Sequence, residues 1–226
     1  MMLAETFLTS TGDTQYNSYH AACRQVEIQP EENKMTNIQI AVLVGSLRQE
    51  SYNRKLADAL ARLVPNTVSL KQLQIDDLPL YNQDADANQA PSVQRLKKEI
   101  AASQGVLFVS PEYNRSFPGV LKNAIDHASR PYGQSAWKGK PAGVIGVSVG
   151  AVGTSMAQQH LRNVLAYLDM PTLGQPEAFI QATDKLFDAH GNIGEASRAF
   201  LQDWVNAYVA WIMKMQPDKL AVKTST

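Results

Sequence analysis

Short apolar runs alternate with helical stripes along most of this chain. Ile38, Ile40, Val42, Leu43 and Val44 form a nearly unbroken apolar run that stops at Gly45. A run this short and this rich in β-branched residues predicts a strand buried on both faces, as in a parallel sheet. Leu56, Ala59, Leu60 and Leu63 then recur at helical spacing until Pro65 and Asn66 close the helix. Val68 and Leu70, with Leu73 beyond, predict a second strand. An irregular polar stretch runs to Ala90, and a helix from Pro91 turns Val93, Leu96 and Ile100 inward. Gly105 to Ser110 predicts a third buried strand, and Pro118 suits the first turn of the helix that follows. Pro141 to Ser148 predicts a fourth strand. Thr154 and Ser155 are N-cap candidates for a helix facing inward through Ala157, Leu161, Val164, Leu165 and Leu168. A short fifth strand is expected around Glu177 to Ile180, and Thr183 to Gly194 is irregular. The last helix carries Phe200, Leu201, Trp204, Tyr208, Trp211, Ile212 and Met215 at three- and four-residue spacings.

Such alternation predicts right-handed βαβ units and an α/β fold with a doubly wound, five-stranded parallel sheet. Pro111 cannot donate to a ladder, so the chain must leave the sheet after the third strand. In the strand order 2-1-3-4-5, ligands sit at the carboxyl ends of the strands, where the order reverses. The loops that follow Gly45 and Ser110 then lie side by side.

Composition narrows the class. At 226 residues one domain with one sizeable core is expected. Lysine plus arginine and aspartate plus glutamate both number 21. That balance argues against bulk attraction to nucleic acid or an anionic membrane. Cys23 is the single cysteine, which excludes an internal disulfide and a multi-thiolate metal site. A cytoplasmic protein is expected. The first 34 residues are polar and weakly patterned, and carry acids rather than a basic start and apolar middle. They are read as a loosely ordered extension (1–34) before a domain spanning 35–216, with a flexible tail at 217–226. Asp76 and Asp77 are adjacent acids in a loop without further ligands at local spacing, so a metal site there is rejected.

The chemistry concentrates after the first strand. Ser46, Arg48, Ser51 and Asn53 crowd the loop between a buried strand and a helix start. Unpaired backbone N–H groups at a helix N-terminus favour an anion. Neither G-x-G-x-x-G nor G-x-x-x-x-G-K-[ST] is present here. A loop lined by side chains suits a single terminal phosphate, such as that of a mononucleotide. The bland alternative is that Ser51 merely caps the helix and Arg48 is a solvated charge.

Three ordered motifs stand out: Gly45-Ser46-Leu47-Arg48-x-x-Ser51-x-Asn53, then Pro111-Glu112-Tyr113-Asn114, then Pro118-Gly119-Val120-Leu121-Lys122-Asn123-Ala124-Ile125-Asp126. Together they resemble the NADPH-dependent FMN reductase family, the flavodoxin-like group that includes quinone, chromate and azo reductases. Gly150-x-x-Gly153 and Ala157-Gln158-x-His160-Leu161-Arg162 also fit. The resemblance implies that Ser46, Arg48, Ser51 and Asn53, with Tyr52 beside them, hold the FMN phosphate. Pro111, Glu112, Tyr113 and Asn114 would line the isoalloxazine ring, and Ser148 with Gly150 to Gly153 would approach its pyrimidine side. Backbone N–H groups and the helix N-terminus after Gly153 would then stabilise the charge of the reduced flavin. Two departures stand out. Thr154 and Met156 occupy places where the family often has Gly and Arg, which bears on a nicotinamide phosphate or a subunit contact. His127 stands where Trp is common, which bears on packing or the rim of the pocket.

The implied activity is ping-pong. NADPH or NADH gives hydride to the flavin and leaves, and a quinone, azo compound, chromate-like oxyanion or free flavin takes the electrons. Because the cofactor carries the chemistry, no catalytic acid or base is assigned. Glu112 is read as a loop carboxylate held by its own backbone, and His160 as a packing or interface histidine. The alternatives are a flavodoxin-type carrier or redox sensor without a substrate, and a mononucleotide binder without redox function. The broad apolar stripe of the last helix favours a homodimer or homotetramer over a monomeric shuttle. A variant beginning at Met35 is expected to fold with the same cooperative urea transition as the full chain; failure to fold would refute the reading of 1–34 as an extension.

Overall fold

The computed structural model describes residues 37–216; the expected extension 1–34 and tail 217–226 lie outside the described residues. Five parallel strands run in the order β2-β1-β3-β4-β5. They are β1 (Ile38–Val44), β2 (Val68–Gln72), β3 (Gly105–Val109), β4 (Ala142–Ser148) and β5 (Phe179–Gln181). The helices are α1 (Tyr52–Leu60), α2 (Pro91–Ala102), α3 (Gly119–Ala128), α4 (Ser155–Tyr167) and α5 (Glu195–Met215). This is the flavodoxin-like doubly wound order, with its switch point between β1 and β3.

The unbroken apolar run of β1 follows from its central place. Ile38, Ile40, Val42 and Val44 point to a core shared with α1 and α5. Ala41 and Leu43 point to the opposite core, shared with α2, α3 and α4. Both faces are covered, so neither can be polar. On one side Val42 registers with Gln72, and on the other with Leu107.

Several boundaries differ from expectation. Helix α1 ends at Leu60, and the turn beyond it tightens into i→i+3 bonds from Arg62 N to Ala59 O (3.2 Å) and Leu63 N to Leu60 O (2.9 Å). Pro118 is the N-cap residue of α3 rather than part of its first turn, and its carbonyl accepts from Leu121 N and Lys122 N. Strand β5 begins at Phe179, and α5 starts at Glu195, a turn before its broad stripe. The segment after β2 is held to α3 by side chains. Asn123 Nδ2 donates to Pro79 O (2.8 Å), Tyr81 N donates to Asn123 Oδ1 (2.8 Å), and His127 Nε2 contacts Pro79 O (2.8 Å). His127 is 4% exposed and meets Tyr81 edge-on, so it is a packed residue.

Helix α5 packs its side chains directly onto the sheet backbone at two glycines, one in β3 and one in β4. A Cβ on Gly143 would stand 2.8 Å from Tyr208 Cε2, and one on Gly105 would stand 2.6 Å from Ile212 Cδ1. Burial pushes the Tyr208 hydroxyl well above the ordinary tyrosine range. Gly143→Val is expected to destabilise the protein by about 1–3 kcal/mol through overpacking against Tyr208, read as a lower urea midpoint at unchanged slope.

Candidate flavin site

The switch point brings the two predicted loops together. Gly45 N donates to Val109 O (2.9 Å). A Cβ on Gly45 would stand 3.1 Å from Pro111 Cδ and 3.4 Å from Pro118 Cδ, so the loops after β1 and β3 touch. Between them opens a cavity of about 170 Å³, lined by Ser46, Arg48, Ser51, Tyr52, Asn53, Pro111, Glu112, Tyr113 and Ser148. Val147 and Val149 also line it, and sequence reasoning missed both. Their signal was their position at the carboxyl end of β4, where ligands sit. Asn114, Gly150 and Gly153 are not among the lining residues.

Each expected donor has a definite state. Ser51 is the N-cap of α1, its Oγ accepting from Arg54 N at 3.3 Å, and it also lines the cavity. Capping and ligand contact are compatible, because the hydroxyl proton remains to be donated. Among the described residues the backbone N–H groups of Tyr52 and Asn53 make no hydrogen bond, as expected for the first turn of a helix. Ser46 is 5% exposed, and its Oγ lies 3.4 Å from the Tyr113 hydroxyl. Arg48 is turned onto its own loop. Its Nε and Nη2 donate to Glu50 O (3.1 and 2.6 Å), and the guanidinium lies 5.7 Å from the Tyr52 ring centroid. The nearby Glu50 carboxylate is held below its ordinary range by its hydrogen bond to Lys55 (2.6 Å) and that lysine's charge.

Asn53, expected as an amide donor to the phosphate, has most of its amide engaged within the chain. Its Nδ2 donates to Val147 O (2.9 Å), and its Oδ1 accepts from Val147 N (3.0 Å). One amide hydrogen and the backbone N–H remain for a ligand. The 3%-exposed side chain chiefly locks α1 to β4 across the sheet.

Glu112 departs from expectation too. Its carboxylate is not held by its own loop; Oε2 accepts from Met156 N (3.0 Å) and Ala157 N (3.1 Å) in the first turn of α4. Thr154 occupies the N-cap position without a side-chain cap bond, and its Oγ1 accepts from Gln158 Nε2 instead. The N-terminus of α4 is therefore already capped by a carboxylate. Asn114 and Arg115, with φ of 51° and 66°, form the corners of a tight turn. Tyr113 and Ser116 close that turn by exchanging two backbone bonds (2.8 and 3.0 Å). His160, expected in packing or at an interface, places its Nδ1 3.1 Å from Ser116 Oγ on an exposed surface. Ser148 Oγ accepts from Gly150 N (3.3 Å). Gly153 has φ of 62°, and a Cβ there would meet Phe179 C at 2.7 Å, so it serves the close seating of this loop on β5.

A larger cavity of about 410 Å³ runs along α1 beyond Tyr52, but its cations are engaged: Lys55 with Glu50, and Arg62 with His190 O and Asn192 Oδ1. It offers an anion less than the switch-point cavity does.

The profile of NADPH-dependent FMN reductases matches residues 38–184. The chain belongs to that family. The reductase is 52% identical over 176 residues to a 2-hydroxy-1,4-benzoquinone reductase of a Burkholderia species, covering 77% of this chain and 96% of the relative. It is 52% identical over 174 residues to a quinone reductase of Pseudomonas putida, covering 76% and 94%. Among solved structures, the flavoenzyme NAD(P)H:(acceptor) oxidoreductase FerB from Paracoccus denitrificans superposes with a TM-score of 0.76 at 47% identity, covering 79% and 98%. The reductase is thus an FMN-dependent oxidoreductase with NAD(P)H as electron donor.

The cavity fits one end of FMN. It is smaller than the roughly 300–1,000 Å³ of clefts that engulf a drug-sized ligand, but it gathers hydroxyls, free N–H groups and an arginine on a phosphate-sized space. The one carboxylate lining it among the described residues, Glu112, is already occupied by α4. No helix among the described residues is long and apolar enough to cross a membrane. Asn53→Ala is expected to cost about 2–4 kcal/mol by stranding two buried backbone groups of Val147. Arg48→Ala should change apoprotein stability by less than about 0.5 kcal/mol. Urea denaturation of the two apoproteins separates the roles.

Proposed function

We propose that this reductase passes electrons from NAD(P)H to quinones in a ping-pong cycle. The observation that carries the reading is the joining, at the β1/β3 switch point, of the α1 N-terminus with the Pro111–Tyr113 loop in one cavity. The names of the two 52%-identical relatives support quinones as acceptors. Azo compounds, chromate-like oxyanions and free flavin are further acceptors of the same electrons.

Ser46 Oγ, Ser51 Oγ, Arg48 and the backbone N–H groups of Tyr52 and Asn53 hold the phosphate. Arg48 releases Glu50 O to do so, exchanging a neutral acceptor for a charged one. Pro111, Tyr113, Ser148 and Val149 line the ring end. Bound FMN supplies two-electron chemistry, accepting a hydride from reduced nicotinamide and returning the electrons to the acceptor. The chain's part is to bind and orient. Val149 is 71% exposed and Tyr113 50% exposed, so the rim is open to planar molecules of varied size.

Anaerobic titration with NADPH should bleach the flavin spectrum of the purified holoprotein, and a quinone should restore it. A bound flavin that NADPH cannot reduce would instead mark an electron carrier. Arg48→Ala should weaken FMN binding about tenfold to a hundredfold, as expected for the loss of a charge-assisted contact; an unchanged dissociation constant would remove Arg48 from the phosphate site.

A further inference from the structure

We infer that Glu112 is a positioning residue that clasps the ring loop to α4 and holds down the reduction potential of bound FMN. The inference rests on the reading of the switch-point cavity as the FMN site. It starts from a side chain that spans two elements. Glu112 lines the cavity, yet its Oε2 accepts both Met156 N–H and Ala157 N–H, 44 and 45 residues along the chain. A helix start is ordinarily capped by the residue beside it. Here Thr154 holds the cap position, but its hydroxyl is turned to Gln158. The cap is supplied from the loop after β3.

Two consequences follow. The first is mechanical. One turn along α4, His160 Nδ1 meets Ser116 Oγ at 3.1 Å. Glu112 and Ser116 flank the Tyr113–Ser116 turn, so both of its ends are tied to the same helix. Tyr113 is carried between these ties. The turn holds Asn114 and Arg115 at positive φ, a conformation that asparagine adopts readily and that arginine adopts where its surroundings hold it. The clasp is part of those surroundings.

The second consequence is electrostatic. A free α4 N-terminus would present roughly half a positive charge and favour an electron-rich ring. A full carboxylate charge placed there reverses the local sign. The reduced cofactor gathers negative charge, so this arrangement makes it a stronger electron donor to the acceptor.

The test uses the holoprotein and two variants, with three readouts besides turnover: FMN dissociation constant, midpoint potential of the bound flavin against redox dyes, and apoprotein Tm. Glu112→Gln keeps the side-chain shape and one acceptor oxygen but removes the charge. Its midpoint potential should move to more positive values while FMN affinity stays within about threefold of wild type. Glu112→Asp keeps the charge but is one methylene shorter and cannot reach both N–H groups. It should lower the apoprotein Tm by roughly 2–6 °C and leave the potential near that of wild type. An unchanged potential in Glu112→Gln, or equal shifts in both variants, would overturn the electrostatic role. An unchanged Tm in Glu112→Asp would overturn the clasp. Wild-type protein that takes up no FMN would instead refute the site itself, and the inference with it.

Discussion

The pairing of one asparagine side chain with the backbone N–H and C=O of one residue holds the two halves of the site in register. Asn53 lies in the first turn of α1, and its amide makes both bonds to Val147 in β4. Strand β4 lies two places from β1, so the contact reaches over β3. A side-chain amide matched to both backbone polar groups of one residue tolerates little displacement, because both bonds depend on distance and direction together. The phosphate-facing N–H groups of α1 and the Ser148 corner therefore keep a fixed separation. Loops alone could not maintain it, since loops are the more mobile parts of a fold.

Charge around the site is distributed with the same economy. Among the described residues Arg48 is the one cation lining the cavity, and in this structure it rests on a carbonyl of its own loop. Lys55 is drawn away by Glu50, and Glu112 by α4. The remaining attraction for an anion comes from helix geometry and from hydroxyls, which short-range contact favours over long-range steering. A chain with equal numbers of acidic and basic groups has no strong overall field to add.

What could be read from the sequence was what lies close in the chain. Ser46, Arg48 and Ser51 sit within seven residues of a strand end, and the topology rule places their loop beside Pro111. The unbroken apolar runs mark β1, β3 and β4, because burial on two faces leaves little room for polar positions, whereas the edge strands β2 and β5 are largely exposed and show only scattered apolar residues. Less visible were roles that depend on partners far along the chain. Nothing near Asn53 announces Val147, and nothing near Glu112 announces Met156, so a free donor and a self-satisfied loop acid were the natural local readings. The motif of Asn114 points to a ligand, and the turn that its backbone forms was not visible in that motif. Helix limits moved for local reasons that periodicity does not register, such as the tightened turn after Leu60.

The close seating of α5 couples the end of the chain to the assembly of its middle. Tyr208 and Ile212 fit only where Gly143 of β4 and Gly105 of β3 leave gaps, and those gaps adjoin only when the two strands are paired. Isolated β3 or β4 would offer the helix half a binding surface. The helix in turn covers strands whose faces would otherwise meet water at two side-chain-free points. Docking of the last element and completion of the sheet are thus linked equilibria. Strand pairing near the switch point gains stability from a helix that contributes no residue to the site.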